Sequence, residues 1–233
     1  MSITKPTPAK RFRNAIRKLR GLSRDNSAVA LVEFAYAAPL VLGMGMMGTE
    51  TAYYSITHMQ ISQIAMQVAD NASRVGESQL ATQIVTEADI NGTFVGAEKL
   101  GARNDIFENG RIIISSLQQN ADGGQWIAWQ RCRGAKNVQS DYGPQGTGST
   151  GTSFAGMGDP TNPITASAGT AVMFVEVTYD YDPITPFEFF GDNTLKYTAA
   201  YNIRDIRDLS GLQQTNPVSP VASCSTFSSG RPV

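Results

Sequence analysis

Histidine occurs once in the 233 residues, at His58, and cysteine twice, at Cys132 and Cys224. A single histidine cannot build a His-based metal site or a hydrolytic triad. No CxxC or Cys/His cluster offers a thiolate metal site. No GxxxxGK[ST] occurs, and no GxGxxG sits between a strand and a helix, so a phosphate-cradling loop is not expected. The chain after residue 48 offers no nucleophile, base and orienting group in combination. The expectation is a protein that is not an enzyme, with no catalytic residue, no metal and no cofactor. Acid is also missing from the start: Lys5, Lys10, Arg11, Arg13, Arg17, Lys18, Arg20 and Arg24 all precede Asp25. The net charge of −1 therefore hides a basic arm and an acidic remainder. No base-reading or aromatic-interleaved basic motif accompanies the arm, so no nucleic-acid partner is expected.

What the chain does have is one long apolar run within Asp25–Gly48. From Ala28 to Met47 it carries a single charge, Glu33. A helix of that span is roughly 30 Å long, the thickness of a bilayer's hydrocarbon core. Positive flanks stay in the cytoplasm, which gives a basic cytosolic leader over 1–27 and a transmembrane helix over 28–48 in contact with membrane lipids. Phe12, Ile16 and Leu19 are spaced so that the leader can form a short basic amphipathic helix on anionic headgroups. Pro39 falls inside the span, a change membrane helices tolerate. Gly43, Gly45 and Gly48 are small enough to let another helix approach closely.

The helical pattern continues. Tyr54, Ile61, Ala65, Val68, Ala72 and Val75 form one apolar stripe, and Gly76 is a stop. Residues 49–108 read as amphipathic helix and helical region, with Leu80, Ile84 and Ala88 on one face and an interruption at Asn91-Gly92. From Asn109 the period changes. Strands are expected at 111–117, 125–133, 173–181 and 195–203. Residues 138–168, rich in Gly, Ser, Thr and Pro, read as a long mobile surface loop, and the chain past Asp208 as an irregular tail. The fold class is α+β: a long N-terminal transmembrane and amphipathic helix packed on a small antiparallel sheet over 109–233. If that sheet domain is exported, a Cys132–Cys224 disulfide is permitted; two free buried thiols are the alternative.

A carboxylate inside an apolar span is costly, so Glu33 either reaches the interface or has a function. The surrounding residues resemble the N-terminal segment of TadE-like proteins, the pseudopilins of the tight-adherence (Flp) pilus system. Glu33-Phe34, Ala35, Pro39, Leu40, Gly48 and Glu50 carry the resemblance, which covers about residues 24–75. It implies a pilin-like fold and an inner-membrane pilus-assembly role. It implies a prepilin peptidase that cuts between Ala28 and Val29, where this chain has Ala in place of the usual Gly. It also implies that Glu33 and Phe34 serve subunit assembly, with the freed amine meeting Glu33 of an adjacent subunit. The partners implied are other pilus subunits and the inner-membrane assembly platform, with the C-terminal domain periplasmic or in an extracellular pilus.

Other acids carry weaker signals. Glu176, Asp180 and Asp182 alternate onto one strand face, either as a solvated surface or as a hard-cation site. Arg204, Asp205, Arg207 and Asp208 read as local surface ion pairs. The competing function is an unrelated single-pass membrane protein with an extracytoplasmic binding domain. A secreted enzyme behind a signal peptide fits less well, because Glu33 interrupts the apolar region.

Overall fold

The computed structural model describes residues 27–79, 82–186, 191 and 193–231. The basic leader expected over 1–27 falls outside them up to residue 26, and so does Leu80. The chain forms two units divided after Thr51. Helix α1, Ser27–Arg74, has 48 residues, about 72 Å at the usual rise. Its first part, up to Thr51, belongs to the first unit. Pro39 lies inside it without ending it.

In the second unit, α1 buries Ile61, Ile64, Ala65, Val68, Ala69 and Ala72. Their spacing of three and four places them on one face. Beyond Arg74 the backbone turns at Gly76, whose φ of 140° is a conformation few other residues adopt. The chain then forms a short antiparallel hairpin, β1 (Glu77–Gln79) and β2 (Thr82–Ile84). The helix expected from residue 77 onward is thus replaced by strands at Glu77–Gln79 and Thr82–Ile84. A strong helix start lies downstream instead: Thr86 and Asp89 form a reciprocal capping box that opens α2, Glu87–Leu100.

Helix α2 also runs unbroken through Asn91-Gly92, where an interruption was expected. Ile90, Phe94 and Ala97 are fully buried on its inner face. Their packing outweighs the roughly 1 kcal/mol that a mid-helix glycine costs. Asn91 does not turn the chain; its side chain donates to the Pro220 carbonyl at 2.7 Å. A 3₁₀ turn, Ala102–Asn104, follows.

The remaining strands are β3 (Gly110–Gln119), β4 (Gln125–Arg133), β5 (Met157–Asp159), β6 (Asn162–Ile164), β7 (Ala171–Asp180) and β8 (Thr194–Asn202). Four of them make an antiparallel sheet in the order β4-β3-β7-β8. A long apolar helix and a small antiparallel sheet give the α+β layout. One sheet face carries Ile112, Ile114, Met173, Val175, Val177 and Tyr179, in one core with α1 and α2. The opposite face carries Leu117, Ile127, Val172 and Phe174 in a second core with Met157 and Ala166.

That second core corrects the expectation of a mobile loop over 138–168. The segment contains the β5–β6 hairpin and forms a layer on the sheet. Ile127 exchanges backbone hydrogen bonds with the segment, donating to Thr147 at 2.9 Å and accepting from Gly146 at 2.8 Å. Gln125 binds both backbone groups of Ala166 through its side chain. Tyr142 packs edge-on against Phe174, with ring centroids 5.1 Å apart. Few apolar residues are needed because these polar side chains and the many turn glycines satisfy the segment's backbone.

Candidate membrane and assembly segment

The residues singled out in the apolar run lie on the first half of α1. Ala28 and Val29 fall in its first turn. Glu33 is exposed, one turn on from Val29. Around it the helix presents large apolar side chains to its surroundings: Leu31 is 71% exposed, Phe34 72%, Tyr36 76% and Leu40 68%. None of the most apolar 18-residue window of this helix is buried. It is one helix near the N-terminus long and apolar enough to cross a membrane.

Gly43, Gly45 and Gly48 also face open space; a Cβ added at any of them meets nothing within 4 Å. They leave shallow ground on the helix surface that none of the described residues fills. Just after them, Thr49 and Thr51 return their hydroxyls to the carbonyls of Gly45 and Met47, at 2.9 and 2.8 Å. Such back-bonding keeps hydroxyls satisfied without water. Glu50, by contrast, is fully buried.

The second half of α1 is held by polar groups as well as by its apolar face. His58 Nδ1 and the Tyr197 hydroxyl are 2.7 Å apart, and the His58 ring meets Tyr54 edge-on at 4.3 Å. Asp70 receives Arg204 from beyond β8 at 2.8 Å and Arg74 from its own helix. Arg207 is buried and donates to the carbonyls of Ala72 and Ser73, at 3.2 and 2.8 Å. These are carbonyls of the last turn of α1, where a cation also meets the negative end of the helix dipole. Burial lowers the Arg207 pKa from its ordinary value. The local ion pairs expected among residues 204–208 are therefore replaced. Both arginines reach back to the helix, because the chain leaving β8 passes its end.

The tail is tied down at the other side of the sheet. Cys132 and Cys224 form a disulfide. Arg111 is completely buried, and burial lowers its pKa. Its guanidinium donates to the carbonyls of Gly134, Cys224 and Thr226 at 2.8–3.1 Å and lies over the Phe227 ring at 4.2 Å. No pattern in the sequence marks Arg111 or Arg207 for these roles, since their partners are main-chain oxygens distant in sequence. A lone Arg within an otherwise apolar strand, as in RIII, is the one available signal.

Of the three acids weighed as a cation site, Glu176 and Asp180 are engaged separately. Glu176 accepts from the Ser140 hydroxyl at 2.6 Å and the Asp141 amide at 2.9 Å. Burial raises its pKa against the lowering effect of those two bonds. Asp180 takes Lys136 and, at 2.7 Å, Thr194. Among the described residues, no three His, Cys, Asp or Glu side chains are grouped to hold a metal. Glu87, at the start of α2, pairs with Arg131 of β4 out of solvent. Comparison with family models, curated proteins and solved structures gives no match to this chain.

Proposed function

We propose that this chain is a structural and assembly subunit of a tight-adherence (Flp, type IVb) pilus, a TadE-like minor pilin or pseudopilin. The apolar half of α1 anchors it in the bacterial inner membrane, with the N-terminus cytoplasmic and the sheet unit periplasmic or carried into an extracellular pilus. It assigns the chain no catalysis.

The observation that carries the proposal is the exposed apolar surface around one carboxylate. Leaving several large apolar side chains in water forgoes on the order of 10 kcal/mol, as much as a domain's whole stability. Lipid or neighbouring helices remove that cost. Glu33 is the fifth residue counted from Val29, the position the resemblance requires. A cut between Ala28 and Val29 by a prepilin peptidase frees an amine. That amine on one subunit and Glu33 on the next attract strongly in low dielectric, and their pairing sets the axial register between helices. Gly43, Gly45 and Gly48 give neighbouring helices of the pilus or its platform room to approach.

N-terminal sequencing of the membrane-bound protein tests this. A mature end at Val29 that disappears when the prepilin peptidase is deleted is the expected result. An unprocessed Met1 or Ser2 end overturns it in favour of a plain single-pass anchor. Glu33→Ala is expected to leave membrane insertion intact and to impair assembly; normal pilus formation by that variant sinks the pairing.

A further inference from the structure

The two edges of the four-stranded sheet are treated differently by the rest of the chain. On β4 and just past it, most of the outward backbone groups are used. Ile127 bonds Thr147 and Gly146, the Gln130 amide bonds the Gln145 side chain at 3.2 Å, Cys132 donates to Ala222 and Gly134 to Ser228. On β8 the ladder to β7 is continuous from Val172↔Asn202 to Asp180↔Thr194, with no bulge. Ile203 donates to Ala171 and Tyr181 to Asn193, so the odd-numbered residues of β8 bond β7. Alternation then directs the N–H and C=O of Lys196, Thr198, Ala200 and Asn202 away from the sheet. Among the described residues no backbone or side chain answers these four.

Edges of this kind are ordinarily blunted by proline, a bulge, brevity or inward charge. β8 has nine residues, no proline and a single lysine, and that lysine is drawn off toward Asp141. The row of unpaired donors and acceptors, repeating every two residues, matches the main chain of an extended strand.

We propose that the β8 edge receives an extended segment of a different protein as a fifth strand. Beside Tyr197, Ala199 and Tyr201, which are half-buried on the helix side of the sheet, the added strand presents apolar or aromatic side chains. On the other side, facing Lys196, Thr198 and Ala200, it presents small polar or acidic ones.

A second copy is a poor occupant. Its β4 edge is closed, which blocks head-to-tail growth. Parallel pairing of two β8 strands needs a one-residue stagger that two-fold-related copies do not share. Antiparallel pairing conflicts with anchoring. Tyr54 and His58 lie near Tyr181 and Tyr197, while Asp70 meets Arg204 past the end of β8. The second half of α1 therefore runs in the same sense as β8. An antiparallel pair would place the two Ala52 ends, where each chain enters its sheet unit, at opposite ends of the joined sheet, whereas two chains anchored in one membrane by the residues before Ala52 enter from one side. This last step rests on the membrane reading of α1; the other two do not.

The test uses the full chain. Amide exchange is measured for the purified protein in nanodiscs and for the protein in native membranes. A photo-crosslinking residue at Thr198 reports the neighbour. The expected result is fast exchange at Lys196, Thr198, Ala200 and Asn202 in the purified protein, slowed about tenfold or more in native membranes. A crosslink to an alternating, strand-forming segment of another protein is expected alongside it. Thr198→Pro removes one outward N–H and no bond to β7, so it is expected to abolish the crosslink at Ala200 without moving the melting temperature. If that variant fails to fold, wild-type exchange and crosslinking decide. Slow exchange already in the purified chain, unchanged exchange in native membranes, or a crosslink to a second copy each overturns the proposal. Fractionation of the same cells reports separately on the membrane reading, which fails if the chain is found in the soluble fraction.

Discussion

The guanidinium of Arg207 donates to the carbonyl oxygen of Ser73 at 2.8 Å, closing the last turn of a helix that began almost fifty residues earlier. Removing it leaves buried carbonyls without a donor. Arg207→Met is expected to lower stability by about 1–3 kcal/mol, with Arg207→Lys recovering part of the loss through charge alone. Thermal melts of the detergent-solubilised chain measure both. A melt of Arg207→Met equal to wild type contradicts the capping role.

The Cys132–Cys224 disulfide spans 92 residues of chain and holds the segment whose carbonyls surround Arg111. Paired Cys132→Ser and Cys224→Ser substitutions are expected to cost about 2–5 kcal/mol. Residues 221–231 should then become the first site of proteolysis. Limited digestion followed by mass spectrometry checks this, and the wild-type chain under reducing conditions should behave alike.

Glu176 gives stability a definite dependence on pH. Burial raises its folded pKa above the unfolded carboxylate value, against the bonds from Ser140 and Asp141. The stability it contributes is therefore full below the unfolded pKa and is lost as pH rises through the folded one. Glu176→Gln cannot ionise. Its stability relative to wild type should rise between pH 4 and pH 7, and denaturant midpoints at the two pH values show it. A difference that falls with pH is the contrary result.

Gly45 distinguishes the stability of α1 itself from the helix packing proposed for it. A Cβ there meets nothing within 4 Å among the described residues, so Gly45→Ala is expected to stabilise α1 by up to about 1 kcal/mol. The same methyl group enters the space where a neighbouring helix would pack. Helix stability and subunit association should therefore move in opposite directions, as read by melting and by crosslinking yield in membranes.

Periodicity made the second half of α1 and the four long strands legible, and in α2 it marked helix but with a break at Asn91-Gly92 that the structure does not have. In each, one buried face recurs at the period of a helix or strand. Residues 77–84 were misread because Leu80, Ile84 and Ala88 happen to share helical spacing, while the capping box at Thr86 and Asp89 starts the helix later. Residues 138–168 were misread because their layer is held by Gln125, Gln130 and Glu176, polar side chains of the sheet rather than apolar residues of their own. The same holds for Arg111 and Arg207, which bind carbonyls that every residue possesses. In the apolar segment, Glu33 and the glycines stand out in composition, and their exposure on α1 adds the open surface that composition alone lacks.

The closure of the β4 edge by Ala222 and Ser228 has a consequence for synthesis. β4 is complete at Arg133, yet Ala222 and Ser228, which seal part of its edge, are made only after all the later strands. Through the intervening stretch that part of the β4 edge stays open. Pairing with other nascent chains is most favourable in that interval, and docking of Ala222 and Ser228 beside β4 ends it.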